Sequence, residues 1–203
     1  MGRPPTAGAV DRRERLLIAG IEAFGATPYD EVRISTIAAQ TGVAAGLPFH
    51  YFGSKRGYYL EVLRYIGVQL REVLTVPPGL DPGASVRAVL LAHFDWLESH
   101  PVALRELLRG PMGADPEARV VFEADRWDGM SQLLTALGVA APDARTRMMV
   151  EGWITMKDDV MMRWIDNPSV PRDEVIEFLV RVLGDIFDGL GEHGAGYPDL
   201  SHS

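Results

Sequence analysis

The sequence predicts an all-α fold, and three observations carry that expectation. Apolar residues recur at three- and four-residue steps in nearly every segment, no stretch alternates at the two-residue period of a strand, and Gly, Pro, Asn or Asp break the chain at helix-length intervals.

In chain order, the first helix covers residues 11–26. Leu16, Leu17, Gly20, Ile21 and Phe24 form its apolar face, Asp11 reads as its cap, and Thr27-Pro28-Tyr29 ends it. A short helix over 34–40 stops at Thr41-Gly42, where glycine takes the left-handed conformation that side chains disfavour. A second short helix begins near Ala44 and reaches Tyr51 or Phe52. Gly53-Ser54 then caps a long helix over 55–74.

The Pro- and Gly-rich run from Val76 to Gly83 is the strongest breaker and reads as a connection, giving an N-terminal domain over 1–75 and a C-terminal domain over 76–203. The larger domain reads as helices near 84–99, 101–109, 115–137, 142–166 and 171–190, with a frayed tail from 192 onward.

Composition narrows the function. At 47% apolar and 24% charged residues the chain falls among ordinary soluble globular proteins. No apolar run reaches the roughly 18 residues of a spanning helix, and the start lacks a signal segment, so no membrane is implied and the cytoplasm is the default. The absence of cysteine excludes disulfides, thiol catalysis and cysteine-ligated zinc. His50, His93, His100, His193 and His202 show no metal-ligand spacing, so neither a metal nor a cofactor is expected.

The net charge of −8 conceals an asymmetry. Residues 1–75 carry nine Lys/Arg against seven Asp/Glu, and the remainder eleven against twenty-one. A head at +2 on a body at −10 fits a segment that faces DNA phosphates and a body that the duplex repels.

The two short helices joined by a tight turn at Gly42, with longer helices before and after, form a helix-turn-helix pattern, in which the second short helix enters the major groove. Ile34, Ile37, Ala38 and Val43 supply the apolar contacts that fix the angle between them. The stretch from Ile37 to Lys55 combines an Ile-Ala pair, a Gly-Val turn, a further Gly, aromatic residues ending in Phe52, and a Ser-Lys that opens the next helix. Over residues 11–65 this resembles the DNA-binding signature of TetR-family (tetracycline-repressor-like) regulators. Two positions depart from that pattern. Pro48 lies inside the expected recognition helix, where it removes a backbone donor, and Arg33 stands where the family commonly has a capping Thr or Ser.

Residue chemistry and resemblance together assign expected roles. Tyr51 and Lys55 donate to phosphates, and Arg33, Ser35 and Thr36 add phosphate contacts at the start of the first short helix. Ala44, Ala45, Leu47, Phe49 and His50 face the bases, largely through thymine methyl contacts, with His50 the one polar reader. Phe52 reads as core, and Phe49 as either core or contact. Arg3, Arg12 and Arg13 form either a basic arm or a solvated face.

The resemblance further implies that the last two long helices pair with their copies in a homodimer. The stripe of Val175, Phe178, Leu179, Val182, Leu183, Ile186 and Leu190 agrees, although an intramolecular core must claim part of it. A small apolar effector is expected among the middle helices, against Phe94, Trp96, Trp127, Met130, Met149, Trp153 and Met156. His93, Asp95, Glu151 and Asp158 are candidates to orient its polar end.

The sequence therefore points to a homodimeric regulator, by default a repressor with activation open, released from a near-palindromic operator by an apolar ligand. The alternative is a helical ligand-binding protein or enzyme with a vestigial DNA motif. Catalysis lacks support, since no nucleophile elbow, phosphate-binding loop or metal spacing accompanies the carboxylates.

Overall fold

The computed structural model describes residues 7–73, 75–100, 115–191 and 198–200. Among them are eight α-helices, one 3-10 turn and no strand, as the hydrophobic period requires. The helix expected over 101–109 lies outside the described residues. The helices fall into two compact units, one drawing on Met1–Gln69 and His100–Glu123, the other on Leu70–Ser99 and Ala124–Ser203.

The first unit holds α1 (Ala7–Ala26), a 3-10 turn (Tyr29–Glu31), α2 (Ile34–Gln40), α3 (Leu47–Phe52) and α4 (Lys55–Val73) up to Gln69. Helix α1 starts a turn earlier than expected. Two alanines among its first three residues are strong helix formers, and Asp11 consequently sits inside the helix, where it pairs with Arg15 at 3.3 Å instead of capping. The core is aromatic where α1 meets α4. Phe24 lies edge-on to Tyr58 and Tyr59 at 5.7 and 5.2 Å, Phe52 stacks on Tyr58 at 4.4 Å, and the Tyr58 hydroxyl donates to the Leu16 carbonyl. Burial pushes the Tyr58 phenol above its ordinary range, so it remains a donor at any working pH.

The second unit holds α5 (Pro82–Ser99), α6 (Pro116–Ala136) from Ala124 onward, α7 (Ala144–Asp166) and α8 (Arg172–Gly191). Helix α5 begins at Pro82 because proline suits a first turn and Asp81 accepts from the Ala84 amide at 2.9 Å, two residues ahead of the expected start. Asp143 caps α7 by accepting from the Thr146 amide at 2.7 Å. Helices α5, α7 and α8 pack on one another.

The apolar stripe of α8 divides. Val175, Leu179, Leu183 and Leu190 are buried within the chain together with Ile176, Val180 and Phe187, whereas Phe178 is exposed and Val182 and Ile186 are half-buried. The tail departs from expectation at Leu200, which is buried beside Gly184, within van der Waals reach of a Cβ placed there.

Candidate nucleic-acid interface and sensing core

The geometry of α2 and α3 follows from two residues, Gly42 and Pro48. At Gly42 the backbone turns with φ +68°, and the amides of Gly42 and Val43 return to the Ala39 and Ala38 carbonyls at 3.2 and 3.0 Å. This closes α2 in the left-handed manner that glycine permits. Pro48 then decides where α3 starts. In a helix begun at Ala44 its ring would meet the Ala44 carbonyl and a backbone hydrogen bond would be lost. The helix begins at Leu47 instead, and Pro48 occupies its first turn, where a missing N–H costs nothing. The expected start near Ala44 is thereby corrected: Ala44 and Ala45 lie in the approaching turn, both exposed.

Ser54 and Gly57 set the next helix. The Ser54 hydroxyl accepts from the Gly57 amide at 2.9 Å, capping α4. A Cβ on Gly57 would lie 2.2 Å from the Phe52 carbonyl oxygen, so only glycine lets α4 leave α3 this closely. Replacing Ser54 with Ala should cost about 1 kcal/mol of stability. Urea denaturation reads this directly, and an unchanged midpoint would remove the cap from the account.

These constraints leave one face open. Phe49 is 49% exposed, which decides between its two sequence readings against core, and His50, Arg33, Ser35 and Thr36 are exposed as well. Leu47 and Tyr51 are half-buried, and Phe52 is core as expected. Arg33 occupies the N-cap of α2 and makes no side-chain capping hydrogen bond. The Lys55 ammonium donates to the Asp30 carbonyl at 3.1 Å and lies 4.8 Å from the centre of the Tyr29 ring. Arg33 and Thr36 also line an open groove of about 330 Å³ between α1, the 3-10 turn and α2.

Two other basic residues of this unit, Arg56 and Arg13, are paired with acids. Arg56 forks onto Asp115 at 2.6 and 2.8 Å and reaches Glu117 at 2.6 Å, which holds the Asp115 carboxyl down to about 2. Arg13 pairs with Glu61 and lies over the Phe52 ring, so it is no free member of a basic arm; Arg12 is exposed, and Arg3 lies outside the described residues. Such pairings are not legible from spacing, since Arg56 and Asp115 are separated by 59 positions.

In the second unit, Phe94, Trp96, Met130 and Trp153 are buried, and Met156 is half-buried. The Phe94 ring meets Trp164 edge-on at 5.3 Å, and the Trp153 indole donates to the Leu179 carbonyl at 3.1 Å. Trp127 is half-buried, with the Arg147 guanidinium 4.3 Å from its ring centre. Met149 stands apart on the surface, 41% exposed. Of the four polar candidates, Asp95 pairs with Arg172 and Glu151 with Arg147 at the surface. His93 and Asp158 instead come together around a residue that the sequence reading missed. The Lys157 ammonium lies 3.0 Å from His93 Nδ1 and 2.8 Å from Asp158 Oδ1, and the far oxygen of Asp158 meets Arg126 Nε at 2.8 Å. A lysine one helical turn after Trp153, on an otherwise apolar face, was the available signal.

Comparisons with known proteins agree with this architecture. Residues 16–62 match the family described as bacterial regulatory proteins, tetR family, and residues 82–184, just over half of the chain, match the tetracyclin repressor-like C-terminal domain. The HTH-type transcriptional regulator BetI of Stenotrophomonas maltophilia is 31% identical over 87 residues, which are 41% of this chain and 44% of that protein. The match thus spans less than half the length of that relative. A tetR-family transcriptional regulator from Streptomyces coelicolor superposes with a TM-score of 0.77 at 26% identity, covering 95% of this chain and 85% of its own. The regulator FadR from Bacillus subtilis, solved with stearoyl-CoA, shares the fold at 18% identity and a TM-score of 0.67, over 82% of this chain and 96% of its own. With an N-terminal helix-turn-helix and a helical C-terminal domain that both match, the chain belongs to the TetR family of bacterial regulatory proteins.

Proposed function

We propose that this protein is a homodimeric transcriptional repressor that binds a near-palindromic operator through α3 and is released by a small, largely apolar effector held in the second unit. The observation that carries the reading is the open face of α2 and α3. Phe49 and His50 project from a helix whose other side is anchored by Phe52, and Arg33, Ser35, Thr36, Tyr51 and Lys55 flank it with phosphate donors. Among the described residues no helix is long and apolar enough to cross a membrane.

A titration of mobility shifts on DNA flanking the gene, at two salt concentrations with nonspecific competitor, tests this. A competitor-resistant shift supports the reading. If the protein selects no sequence even from a random pool, the regulator reading fails and a ligand-binding protein remains. Pro48, which favoured that alternative in the sequence, sits where a helix tolerates it and so lends it no support.

The partner copy is expected against α7 and α8. Met148 is 60% exposed and Phe178 40%, and together with Met149, Gly152, Val182 and Ile186 they make a face that the chain's own core leaves uncovered. A Cβ on Gly152 would meet nothing, so a facing helix has room to approach. This reading assigns Met149 to the dimer and not to the effector. Phe178→Glu should shift the protein toward monomer in sedimentation equilibrium, weakening association about tenfold or more, because it buries a charge in an apolar interface. A variant that sediments as the parent does would exclude this face.

Both copies of α3 then reach successive major grooves, about one helical turn or a multiple apart. Effector binding need shift the population by only about 1 to 3 kcal/mol to weaken operator binding several-fold to a hundredfold.

A further inference from the structure

The two faces of α3 differ in what surrounds them. Pro48 and Phe52, one turn apart, are buried, and Leu47 and Tyr51 are half-buried beside them. Phe49 and His50 occupy the outer face. Of the positions a helical turn away from Phe49, Ala45, Gly46 and Gly53 carry a methyl group or nothing, and Phe52 is turned inward. A Cβ placed on Gly46 or Gly53 meets nothing within 4 Å, so the space on either side of the ring is open. The ring contacts of this helix run from His50 to Tyr51, from Tyr51 to Phe52 and from Phe52 to Tyr58, and among the described residues none includes Phe49. Phe49 is thus a large apolar side chain that its own fold leaves uncovered, on a face flanked by Arg33 and Lys55. Those cations favour an anionic occupant, and the occupant must also offer the ring an apolar group.

The polar chemistry of this surface is sparse. Between Val43 and Gly53 the sequence holds no Arg, Lys, Asn, Gln, Asp, Glu, Ser or Thr. The bidentate pairs by which Arg identifies guanine, or Asn and Gln identify adenine, therefore have no source in this stretch. Thr41, just before it, donates its hydroxyl to the Ile37 and Ala38 carbonyls at 2.9 and 3.1 Å. His50 is left to hydrogen-bond a base, with Tyr51 expected at a phosphate. The major groove displays one apolar group, the C5-methyl of a pyrimidine, and an uncovered phenyl ring matches it. Thymine always carries that methyl; cytosine carries it only when methylated at C5.

We propose that Phe49 is the specificity-determining residue of α3 and reads one pyrimidine C5-methyl group in each half-site, so that a cytosine at that position is bound more tightly once it is methylated. This deepens the operator reading and rests on it. Burying one methyl group changes affinity about fourfold, so the two half-sites of a dimer together give about fifteenfold. A ring that merely packed on sugar and phosphate would be indifferent to the methyl.

The test uses the full chain and an operator selected from a random duplex pool. Each thymine of that operator is replaced in turn by deoxyuridine, which removes the C5-methyl and leaves every hydrogen-bonding group in place, and affinities are read by mobility shift. One symmetry-related thymine per half-site should respond, by about fourfold singly and about fifteenfold when both are replaced. With that pair changed to C·G, 5-methylcytosine should be bound tighter than cytosine by the same factors. Phe49→Ala should erase both responses, and because Phe49 is exposed the variant should melt as the parent does. Lys55→Ala should weaken binding on every duplex and still keep both responses, which separates reading of the methyl from loss of affinity in general. Should Phe49→Ala bind too weakly at ordinary salt, the comparison is made at low salt, where phosphate contacts sustain binding. An operator without any deoxyuridine-sensitive thymine, equal binding of cytosine and 5-methylcytosine, or a methyl response that survives in Phe49→Ala would each overturn the proposal while leaving the repressor reading intact. Failure to select any operator overturns the repressor reading and this inference with it.

Discussion

Replacing Tyr51 with Phe and Lys55 with Ala together should weaken DNA binding about a hundredfold or more, on all sequences alike. Each side chain is expected to donate to a phosphate, and a hydrogen bond to a charged group contributes about 1.5 to 3 kcal/mol. A dimer loses each contact twice. Phosphates carry no base identity, so specific and random duplexes should suffer equally. Only Lys55 carries charge, so the salt dependence should flatten by about one phosphate equivalent per protomer. In the free protein Lys55 already holds the Asp30 carbonyl and lies over Tyr29. Part of the effect will therefore appear as lost stability of the first unit, which the melting curve of the free protein isolates. Mobility shifts at two salt concentrations check the rest, and a salt slope equal to that of the parent would remove Lys55 from the interface.

Trp153→Ala should destabilise the protein by about 3 to 5 kcal/mol, the range for deleting a buried aromatic side chain. The indole is 4% exposed and its N–H donates to the Leu179 carbonyl at 3.1 Å, joining α7 to α8. Against a total stability on the order of 5 to 15 kcal/mol the loss would be large. Trp153→Phe keeps most of the packing and drops the bond, so about 1 kcal/mol is expected. Urea denaturation of both variants separates these contributions. A loss under about 1 kcal/mol for the alanine variant would mean that the site is not packed as described. The consequence for testing the proposed effector site is practical: Phe, and not Ala, is the replacement that alters this position while leaving the fold.

How far the site was legible depended on the range of the interaction involved. Gly42, Ser54 and the aromatic run from Phe49 to Phe52 act within a few residues of themselves, so spacing alone placed α2, the turn and the cap of α4. Pro48 was read as an anomaly inside a helix, but local chemistry resolved it by moving the helix start to Leu47. The Asp11 cap failed for a related reason. Capping chemistry marks where a helix is able to begin, and favourable residues upstream let α1 begin sooner.

Partners distant in sequence could not be read this way. The Arg56 pairing with Asp115, that of His93 with Lys157 and that of Arg126 with Asp158 join positions 32 to 64 residues apart. Hydrophobic period says which face of a helix turns inward, but not which polar group on another helix it will meet. The same limit governed α8, whose broad stripe was legible while its division into core and uncovered face was not.

The sequence by itself determined the class of fold, the helix-turn-helix and the family resemblance, because period, turn chemistry and capping are properties of neighbouring residues. Tertiary structure alone decided that Phe49 is exposed and Phe52 buried, that Met149 lies outside the core, and that Lys157 and Arg126 both pair with Asp158. Those outcomes depend on which surfaces meet when helices pack, and burial and charge balance are set only there.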